Sequence, residues 1–252
     1  MIDTHAHITC DELFPEVEEI LIRAKEIGIE KVFNIATDIV TLERGIELQT
    51  KYSILRNIAA TTPHDVEREG EIFFPLVEKA AYEKKIIAIG ETGLDYFYEH
   101  SPKEIQKAFF RKYIKLAIEA DLPLVIHCRD AFSDLIKILD EHKDMKRVLI
   151  HCFTGTLDEA KKLIQRSFYI SFSGIVTYKK SVELQETMKH IPLEQMTVET
   201  DSPYLAPHSK RGKVNEPSYI YETFEKIATL RGVSVEDVVK TTSNNVKNLF
   251  NL

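Results

Sequence analysis

The sequence predicts an α/β fold, a (β/α)₈ barrel in which eight parallel strands alternate with helices. Eight short apolar segments of strand type alternate with segments of helical periodicity within 252 residues, the usual size of such a barrel. The strand segments are apolar along most of their length, as is typical of strands covered on both faces. An open doubly wound sheet is the alternative, but no glycine-rich phosphate-binding turn follows the first strand. We therefore expect one barrel domain that spans residues 1–252.

The predicted strands lie near residues 1–8, 31–37, 54–61, 86–92, 123–128, 147–153, 168–174 and 196–201. Between them, apolar residues recur every three to four positions, as on one face of a helix. The clearest helical segments are Glu16–Ile27, Ile105–Ala120, Asp158–Gln165 and Val182–Lys189. Start signals precede two of these helices. Ser101-Pro102 predicts a cap followed by a first-turn proline, and Thr156 stands three residues before Glu159, as in a capping box.

The composition indicates a large core and no membrane segment. With 44% hydrophobic and 29% charged residues, the chain can bury the core of a barrel. No segment reaches the roughly 18–20 continuous apolar residues of a membrane span, and the N-terminus lacks the pattern of a secretory signal. The three cysteines, Cys10, Cys128 and Cys152, form no CxxC pair, which favours a reducing compartment. We therefore expect a cytoplasmic protein.

The most informative polar residues stand at the ends of the predicted strands. The first strand ends in Asp3-Thr4-His5-Ala6-His7. Because side chains alternate between the two faces of a strand, His5 and His7 point the same way and form a pair of nitrogen donors.

Four further donors occupy equivalent positions. His127 and His151 end the apolar segments of the fifth and sixth strands, and Glu91 and Asp201 stand at the ends of the fourth and eighth. In a barrel the C-terminal ends of all strands surround one mouth, so these side chains converge there. Imidazole and carboxylate together suit Zn²⁺, Mn²⁺ or Fe²⁺, and Mg²⁺ where carboxylates and water supply most ligands. The sequence therefore predicts a metal centre.

Six motifs, in order along nearly the whole chain, resemble those of the TatD family of metal-dependent deoxyribonucleases, within the amidohydrolase-like barrels. The motifs are Ile2–His7, Gly90–Tyr96, Ile126–Ala131, His151–Gly155, Glu199–Pro207 and Arg211–Pro217. The resemblance implies a somewhat distorted (β/α)₈ barrel and two divalent cations. It also implies hydrolysis of phosphodiester bonds at DNA ends, with substrates that vary between members.

The expected arrangement divides the six donors between two cations, which are Mg²⁺, Mn²⁺ or Zn²⁺. His5, His7 and Asp201 would hold one ion. The histidines that end strands 5 and 6 would hold the other, and Glu91 would bridge the two with one carboxylate oxygen on each. Two such cations would activate a water molecule for attack. Asp201 would orient or deprotonate this water, because its second oxygen stays free, so Glu91 and Asp201 are the expected catalytic carboxylates.

One segment departs from the family pattern Gly-x-His-Pro-His after the third strand. Here it reads Ala60-Thr61-Thr62-Pro63-His64, so Thr62 replaces the first histidine and Ala60 replaces the glycine. His64 remains as a candidate catalytic acid–base group or substrate contact. Thr62 can donate a hydrogen bond to a phosphate but cannot act as a proton donor at neutral pH. We expect this change to affect substrate choice and rate rather than metal binding.

Three cationic side chains are the expected phosphate contacts. Arg129 follows the fifth strand, and Arg211 and Lys213 lie in the loop after the eighth. A solvated loop without a substrate role is the alternative for the last two. Tyr96 and Tyr204 flank the predicted site, and either base stacking or simple packing accounts for them.

Other carboxylates are expected to support the metal ligands. Asp3 and Asp95 would hold the N–H groups of ligand histidines or fix the loop after Glu91, since metal-bound imidazoles need an orienting acceptor. A simple turn role is the alternative for Asp95. Glu199 stands two residues before Asp201, on the same strand face, and is either a similar acceptor or part of a salt bridge.

The net charge of the protein limits the kinds of nucleic acid that we expect it to bind. A net charge of −7 argues against a broad electrostatic contact with duplex DNA. We therefore expect a monomer that acts on DNA strand ends or another phosphodiester as a 3′–5′ exodeoxyribonuclease. Two other functions stay open. One is a metal-dependent esterase or amidohydrolase with the same centre, acting on an aminoacyl-tRNA ester or a lactone. The other is a non-catalytic metal-binding barrel.

Overall fold

The computed structural model describes residues 1–252 and contains eight parallel strands in one sheet, paired in chain order. The strands are β1 (Ile2–Ala6), β2 (Lys31–Ala36), β3 (Leu55–Ala59), β4 (Ala88–Asp95), β5 (Leu124–Arg129), β6 (Val148–Ile150), β7 (Tyr169–Phe172) and β8 (Met196–Val198). A parallel bridge between Ala6 and Ser202 brings the segments that extend β1 and β8 together. The predicted (β/α)₈ barrel is therefore confirmed, and it is nearly closed at this junction.

Eight α-helices follow the strands in alternation and surround the sheet, and a ninth follows the eighth. The helices are α1 (Val17–Glu26), α2 (Ile39–Lys51), α3 (Val66–Tyr82), α4 (Lys103–Glu119), α5 (Phe132–Glu141), α6 (Leu157–Ile164), α7 (Val182–Lys189), α8 (Ile220–Arg231) and α9 (Val235–Phe250). The four helical segments predicted from the sequence correspond to α1, α4, α6 and α7, with ends within two residues. None of the nine helices combines the length and apolar composition that a membrane crossing requires.

One predicted helix start is confirmed and the other is wrong. The Thr156 capping box at α6 is present, since Glu159 N donates to Thr156 Oγ1 and Thr156 N donates to Glu159 Oε2. Ser101 does not cap α4, where Pro102 occupies the N-cap position. Its hydroxyl instead donates to the main-chain oxygen of His64 at 2.8 Å. The residue therefore connects the loops at the ends of β3 and β4, because tertiary contacts outweigh its local capping preference.

The apolar core has two parts. A large cluster lies between the sheet and the surrounding helices. A smaller cluster fills the barrel interior with side chains from six strands and from α9: Ile2, Phe33, Ile35, Ile58, Ala88, Val125, Leu149, Val246, Leu249 and Phe250. Asn245 of α9 donates to the main-chain oxygen of Met196, the first residue of β8, at 2.8 Å. Helix α9 therefore covers the N-terminal end of the barrel, opposite the predicted metal centre.

A buried polar ladder fixes the segment that follows His7. Asn34 Oδ1 in β2 accepts hydrogen bonds from the main-chain nitrogen and the hydroxyl of Thr9, at 3.2 and 3.0 Å. The Asn34 amide donates to Asn57 Oδ1 in β3 at 3.0 Å. Gly45 of α2 packs so closely on this pair that a Cβ there would lie 2.3 Å from Asn57 Oδ1. The close approach requires glycine, and it holds the loop after β1 at the mouth.

Candidate metal centre

The six predicted donors converge at the C-terminal end of the strands. Five of them line a cavity of about 930 Å³, and His5 lies beneath the cavity, fully buried. The donors come from β1, the residue just after β1, β4, β5, and the segments just after β6 and β8: His5, His7, Glu91, His127, His151 and Asp201. The predicted convergence of these side chains is therefore present in the fold.

The first group of donors surrounds one carboxylate oxygen of Glu91. Glu91 Oε2 lies 3.4 Å from His5 Nε2 and 3.6 Å from His7 Nε2. Asp201 Oδ1 lies 3.7 and 3.5 Å from the same two nitrogens. Ligands that share an ion with bonds near 2.1 Å lie about 3–3.6 Å apart. These separations are close to that spacing and longer than ordinary hydrogen bonds.

The second group surrounds the other oxygen of the same carboxylate. Glu91 Oε1 lies 3.0 Å from His127 Nδ1 and 2.9 Å from His151 Nε2. The two histidine nitrogens are 3.3 Å apart. One carboxylate therefore faces both groups, with a different oxygen toward each, which is the bridging position expected from the sequence.

The chemistry of the site fits divalent cations. Both ring nitrogens of His5 are buried and have no hydrogen-bond partner, a costly state for an imidazole that a bound ion would relieve. Burial lowers the pKa of His5, which favours the neutral form that binds metals. Burial by itself would raise the pKa of Glu91, but His151 and the other neighbouring histidines hold it well below its usual range. A charged, buried carboxylate requires positive charge beside it.

Two carboxylates orient the histidines of the second group through opposite ring nitrogens. His127 Nε2 donates a hydrogen bond to Asp95 Oδ2 at 2.9 Å. The unprotonated Nδ1 therefore faces Glu91 and is the nitrogen available to bind a metal ion. His151 Nδ1 donates to Glu199 Oε1 at 3.3 Å, which leaves Nε2 facing the site. An acceptor behind each imidazole fixes its tautomer and ring orientation. Asp95 and Glu199 thus have the contacts expected of supporting carboxylates.

Asp3 supports the main chain rather than a histidine ring. Its Oδ2 accepts from the hydroxyl of Thr200 at 2.6 Å, and its Oδ1 accepts from the main-chain nitrogens of Thr200 and His5. Burial raises the pKa of Asp3 to about 7, against the hydrogen bonds from Thr200. Asp3 therefore joins β1 to the segment after β8, and the expected contact with the ring of a ligand histidine is absent.

The backbone around the donors departs from regular strand geometry. Asp201 and Cys152 have φ values of +59° and +43°, in the left-handed region that few non-glycine residues adopt. The pairing register of β4 with β5 shifts between Ile89 and Thr92, on either side of Glu91. Such irregularities next to a site aim side chains that a regular strand would direct elsewhere.

The comparisons with known proteins agree with this geometry. A family model described as TatD related DNase matches residues 2–251. The chain belongs to this family. The resemblance inferred from the six motifs is therefore confirmed, and the protein is a metal-dependent hydrolase of the TatD family.

Relatives of this TatD-family protein match it along its whole length. The uncharacterized metal-dependent hydrolase YabD of Bacillus subtilis is 37% identical over 253 residues, covering 100% of this chain and 99% of that protein. The 3′-5′ ssDNA/RNA exonuclease TatD of Citrobacter koseri is 28% identical over 258 residues, with coverages of 100% and 99%. The crystal structure of the TatD homologue YJJV from Escherichia coli has a TM-score of 0.94 at 27% identity, with coverages of 100% and 98%.

The predicted substrate contacts of the TatD-family protein divide into two sets. Arg129, His64 and Tyr204 line the cavity. Arg211 and Lys213 are exposed and do not line it, and the Arg211 guanidinium lies 4.7 Å from the centre of the Tyr178 ring. This stacking holds Arg211 outside the cavity, so we do not propose it or Lys213 as a phosphate contact.

Two other predicted contacts have different partners. Tyr96 is absent from the cavity wall, and its hydroxyl donates to Asp134 Oδ2 at 2.8 Å. Thr62, at the position of the family histidine, lines the cavity and donates to Asp65 Oδ2 at 3.1 Å. Packing therefore accounts for Tyr96, and the Thr62 hydroxyl already has a protein acceptor.

Tyr98 and Arg44 are among the residues of the cavity wall that sequence reasoning missed. Tyr98 lies two positions after the predicted Tyr96, and the spacing along the β4–α4 turn does not reveal which aromatic side chain faces inward. Arg44 of α2 also lines the wall, where it donates to Asp11 Oδ1 at 2.7 Å and to Thr9 O at 3.0 Å. No motif marks Arg44, since it is one of several polar residues of an ordinary amphipathic helix.

Proposed function

We propose that this TatD-family hydrolase cleaves phosphodiester bonds at the 3′ ends of DNA and uses two divalent cations. The observation that carries the proposal is Arg129, which lines the cavity beside the candidate centre without a carboxylate partner. The other arginine of the wall, Arg44, is neutralised by Asp11. A free guanidinium matches two oxygens of a phosphate. The 3′–5′ direction is supported by the relatives named as 3′-5′ ssDNA/RNA exonucleases, at 28% and 29% identity.

The two groups of donors are the proposed cation sites. His5, His7 and Asp201 would hold one ion, and His127 and His151 would hold the other. The Glu91 carboxylate would be shared by both ions. Mg²⁺, Mn²⁺ and Zn²⁺ all suit this mixture of imidazole and carboxylate. When bound, such ions stabilise negative charge on phosphoryl oxygens and make a nearby water more acidic.

Asp201 is the proposed general base. Its Oδ1 faces His5 and His7, so Oδ2 stays available to accept the proton of the attacking water. Burial would raise the pKa of this carboxyl, but His7 and the neighbouring histidines keep it lowered. The carboxylate is therefore in the form that accepts a proton at neutral pH.

Arg129 and His64 are the proposed substrate contacts. Arg129 would bind a phosphate that neighbours the scissile bond, which orients the strand for in-line attack. His64 lines the same wall, and its side chain remains 26% exposed there. We assign this exposed part of the ring to contact with the leaving group.

The test is time-resolved digestion of 5′-labelled single-stranded DNA by metal-stripped protein that is reloaded separately with Mg²⁺, Mn²⁺ or Zn²⁺. The bound metal is counted in each sample by elemental analysis. We expect metal-dependent shortening from the 3′ end, and no shortening in a Glu91→Gln variant purified in parallel to detect contaminating nucleases. Protein that binds two ions per chain and cleaves no DNA would overturn the proposal and favour ester or amide hydrolysis.

A further inference from the structure

Exposed aromatic rings stand on two opposite walls of the mouth. Tyr98 follows β4, Tyr204 lies in the segment after β8, and both line the cavity. Phe97 lies outside the lining and packs edge-to-face on Tyr98, with 4.8 Å between the ring centroids. In an eight-stranded barrel, strands 4 and 8 face each other across the axis. The side chains of Phe97, Tyr98 and Tyr204 remain 55%, 52% and 56% exposed. Large apolar surface left in solvent beside a cavity is typical of a binding site.

An arginine lies on the first of these walls. The Arg129 guanidinium lies 3.7 Å from the centre of the Phe97 ring and 4.9 Å from that of Tyr98. Cation–π contacts, rather than an ion pair, hold it there. Its N–H groups therefore stay free to bind an anion next to the two rings.

One ring separates the first wall from the candidate centre, and the opposite wall adjoins the centre directly. Tyr98 lies 5.7 Å from His64, measured between ring centroids, and His64 lies 5.5 Å from His127. On the opposite wall, Tyr204 lies 5.8 Å from His7. A group that stacks on either wall is thus within one nucleotide of the metal donors.

We propose that Phe97, Tyr98 and Tyr204, here called the aromatic clamp, bind the unpaired bases at the end of a single-stranded nucleic acid. This inference rests on the proposed phosphodiesterase function and assigns its base-binding residues. Flat aromatic rings beside a free arginine combine the two contacts of single-strand recognition, which are base stacking and phosphate binding. Stacking uses the face of a base and tolerates any sequence, so DNA and RNA ends fit equally.

The clamp also gives a reason to prefer unpaired ends. The face of a base is covered by its neighbours within a duplex, and separating a terminal pair costs free energy. Only an end that is already unpaired offers a free base to the rings at no such cost. The clamp therefore binds unpaired strand ends in preference to paired ones and does not distinguish between bases.

The test measures binding separately from cleavage, by fluorescence anisotropy of 5′-labelled oligonucleotides with cleavage-resistant phosphorothioate linkages. The metal-loaded protein is titrated with an oligothymidylate, with its oligouridylate counterpart, and with an oligothymidylate whose last two residues are abasic. We expect wild-type protein to bind each normal strand about 10- to 100-fold more tightly than the abasic strand.

Variants then assign this preference to the clamp. The double variant Phe97→Ala/Tyr98→Ala should lose most of the preference for the normal strand. Its affinity for the abasic strand should change little. A displaced Arg129 would instead weaken binding of both strands alike and leave the preference in place, which would overturn the clamp. Tyr98→Phe keeps the ring and should keep the preference. Tyr82→Ala is the matched control, because Tyr82 is 57% exposed at the end of α3, on the opposite end of the barrel.

Each outcome bears on one of the two proposals. The clamp is overturned if wild-type protein binds no strand, binds the abasic strand as tightly, or keeps its preference in the double variant. Cleavage of unmodified DNA without base-dependent binding would leave the phosphodiesterase intact and remove the clamp. Base-dependent binding without cleavage by any loaded ion would support the clamp and remove the phosphodiesterase. A preference present with oligothymidylate and absent with oligouridylate would also overturn stacking as its basis.

Discussion

The two ends of the barrel are built from the same eight strands but have opposite physical properties. At the N-terminal end, apolar side chains from six strands pack against α9, with Phe250 and Phe33 in edge-to-face contact at 4.7 Å. At the C-terminal end, imidazoles and carboxylates replace them. Four of the six buried side-chain atoms without a hydrogen-bond partner belong to His5, His64 and Glu199 at this end. The difference indicates that stability and chemistry are separated along the barrel axis.

This separation can be tested from both directions. A substitution at the mouth should remove activity and lower stability less than one at the α9 end, since it leaves the apolar packing intact. A substitution at the α9 end should lower stability and leave the turnover of folded molecules unchanged. The following predictions run from the largest expected effect to the smallest.

Asp201→Asn should give the largest effect on activity. Loss of the proposed general base should lower kcat by about 10²- to 10⁴-fold, because an amide cannot accept a proton at the Oδ2 position. Burial opposes the charge of Asp201, but the histidines that lower its pKa outweigh it, so the unfolding midpoint of the metal-free protein should fall at pH 7, by less than in Phe250→Ala. Steady-state kinetics on a labelled strand and thermal unfolding in chelator measure the two effects.

The matched control is Asp11→Asn, because Asp11 lines the same cavity from an exposed position. Its kcat should stay within a few-fold of wild type. An Asp201→Asn variant that binds metal and retains more than about a tenth of wild-type kcat would show that another group accepts the proton of the attacking water.

Phe250→Ala should give the largest effect on stability. The ring is 5% exposed and closes the apolar interior. Its removal leaves a cavity and should cost about 3–5 kcal/mol of unfolding free energy. Urea unfolding measures the loss, and kcat at low temperature should stay at the wild-type value. Leu252→Ala, two residues away and 46% exposed, is the control and should change little. Equal losses in both variants would contradict the role assigned to α9.

The contrast between the two ends also explains what the sequence could predict. The six donors stand at strand ends. Because these ends meet at one mouth of the barrel and side chains alternate along each strand, the sequence positions alone predict that the donors lie close together. Strand length and apolar runs likewise predicted the eight strands. Metal binding by His5 or His127 nevertheless remains a prediction, because convergence of donors defines only where an ion would fit.

Loops and the added helix could not be predicted in the same way. The side chains of Tyr96 and Tyr98 differ in direction because of the turn after β4, which no periodicity describes. Arg211 lies on Tyr178 through a contact between segments distant in sequence. Helix α9 has an amphipathic pattern, but that pattern does not say which surface it covers. Each of these features depends on tertiary contacts that local sequence does not encode.

Asp95→Asn should weaken the second cation site. Asp95 Oδ1 accepts from the main-chain nitrogens of Phe97 and Tyr98, so an asparagine oxygen would keep the loop in place. Its amide group would then face His127 Nε2 and donate to it. The proton of that imidazole would move to Nδ1, the atom that faces Glu91, and metal affinity should fall about 10- to 100-fold.

Calorimetric titration with Mn²⁺ or Zn²⁺ measures this change as one weakened site of two. The ¹⁵N shifts of the His127 ring report the exchanged tautomer directly in the metal-free protein. Asp134→Asn is the control, since Asp134 is bound to Tyr96 and Lys107 away from the centre. Unchanged affinity together with the wild-type tautomer would remove Asp95 from the support of the site.

The smallest expected effect concerns the loop after β8, which an ion pair joins to α1. Arg23 Nε lies 2.9 and 3.0 Å from the two carboxylate oxygens of Glu216. Burial opposes charge on Glu216, but Arg23 outweighs it and lowers the pKa below the ordinary value of 4.5. A lowered pKa stabilises the folded state above the unfolded value, and this contribution disappears as the pH falls through the folded value.

Glu216→Gln should therefore lower the unfolding free energy at pH 7 by no more than about 1 kcal/mol, because Arg23 is partly exposed to solvent. The difference from wild type should shrink as the pH falls below 4.5 and approach zero when both proteins carry a neutral side chain there. Urea unfolding of the two proteins between pH 7 and pH 3 measures the difference. A difference in unfolding free energy that stays constant over this range would assign the effect to packing and hydrogen bonding of the residue. An effect of the Glu216 charge must instead disappear as the carboxylate is protonated.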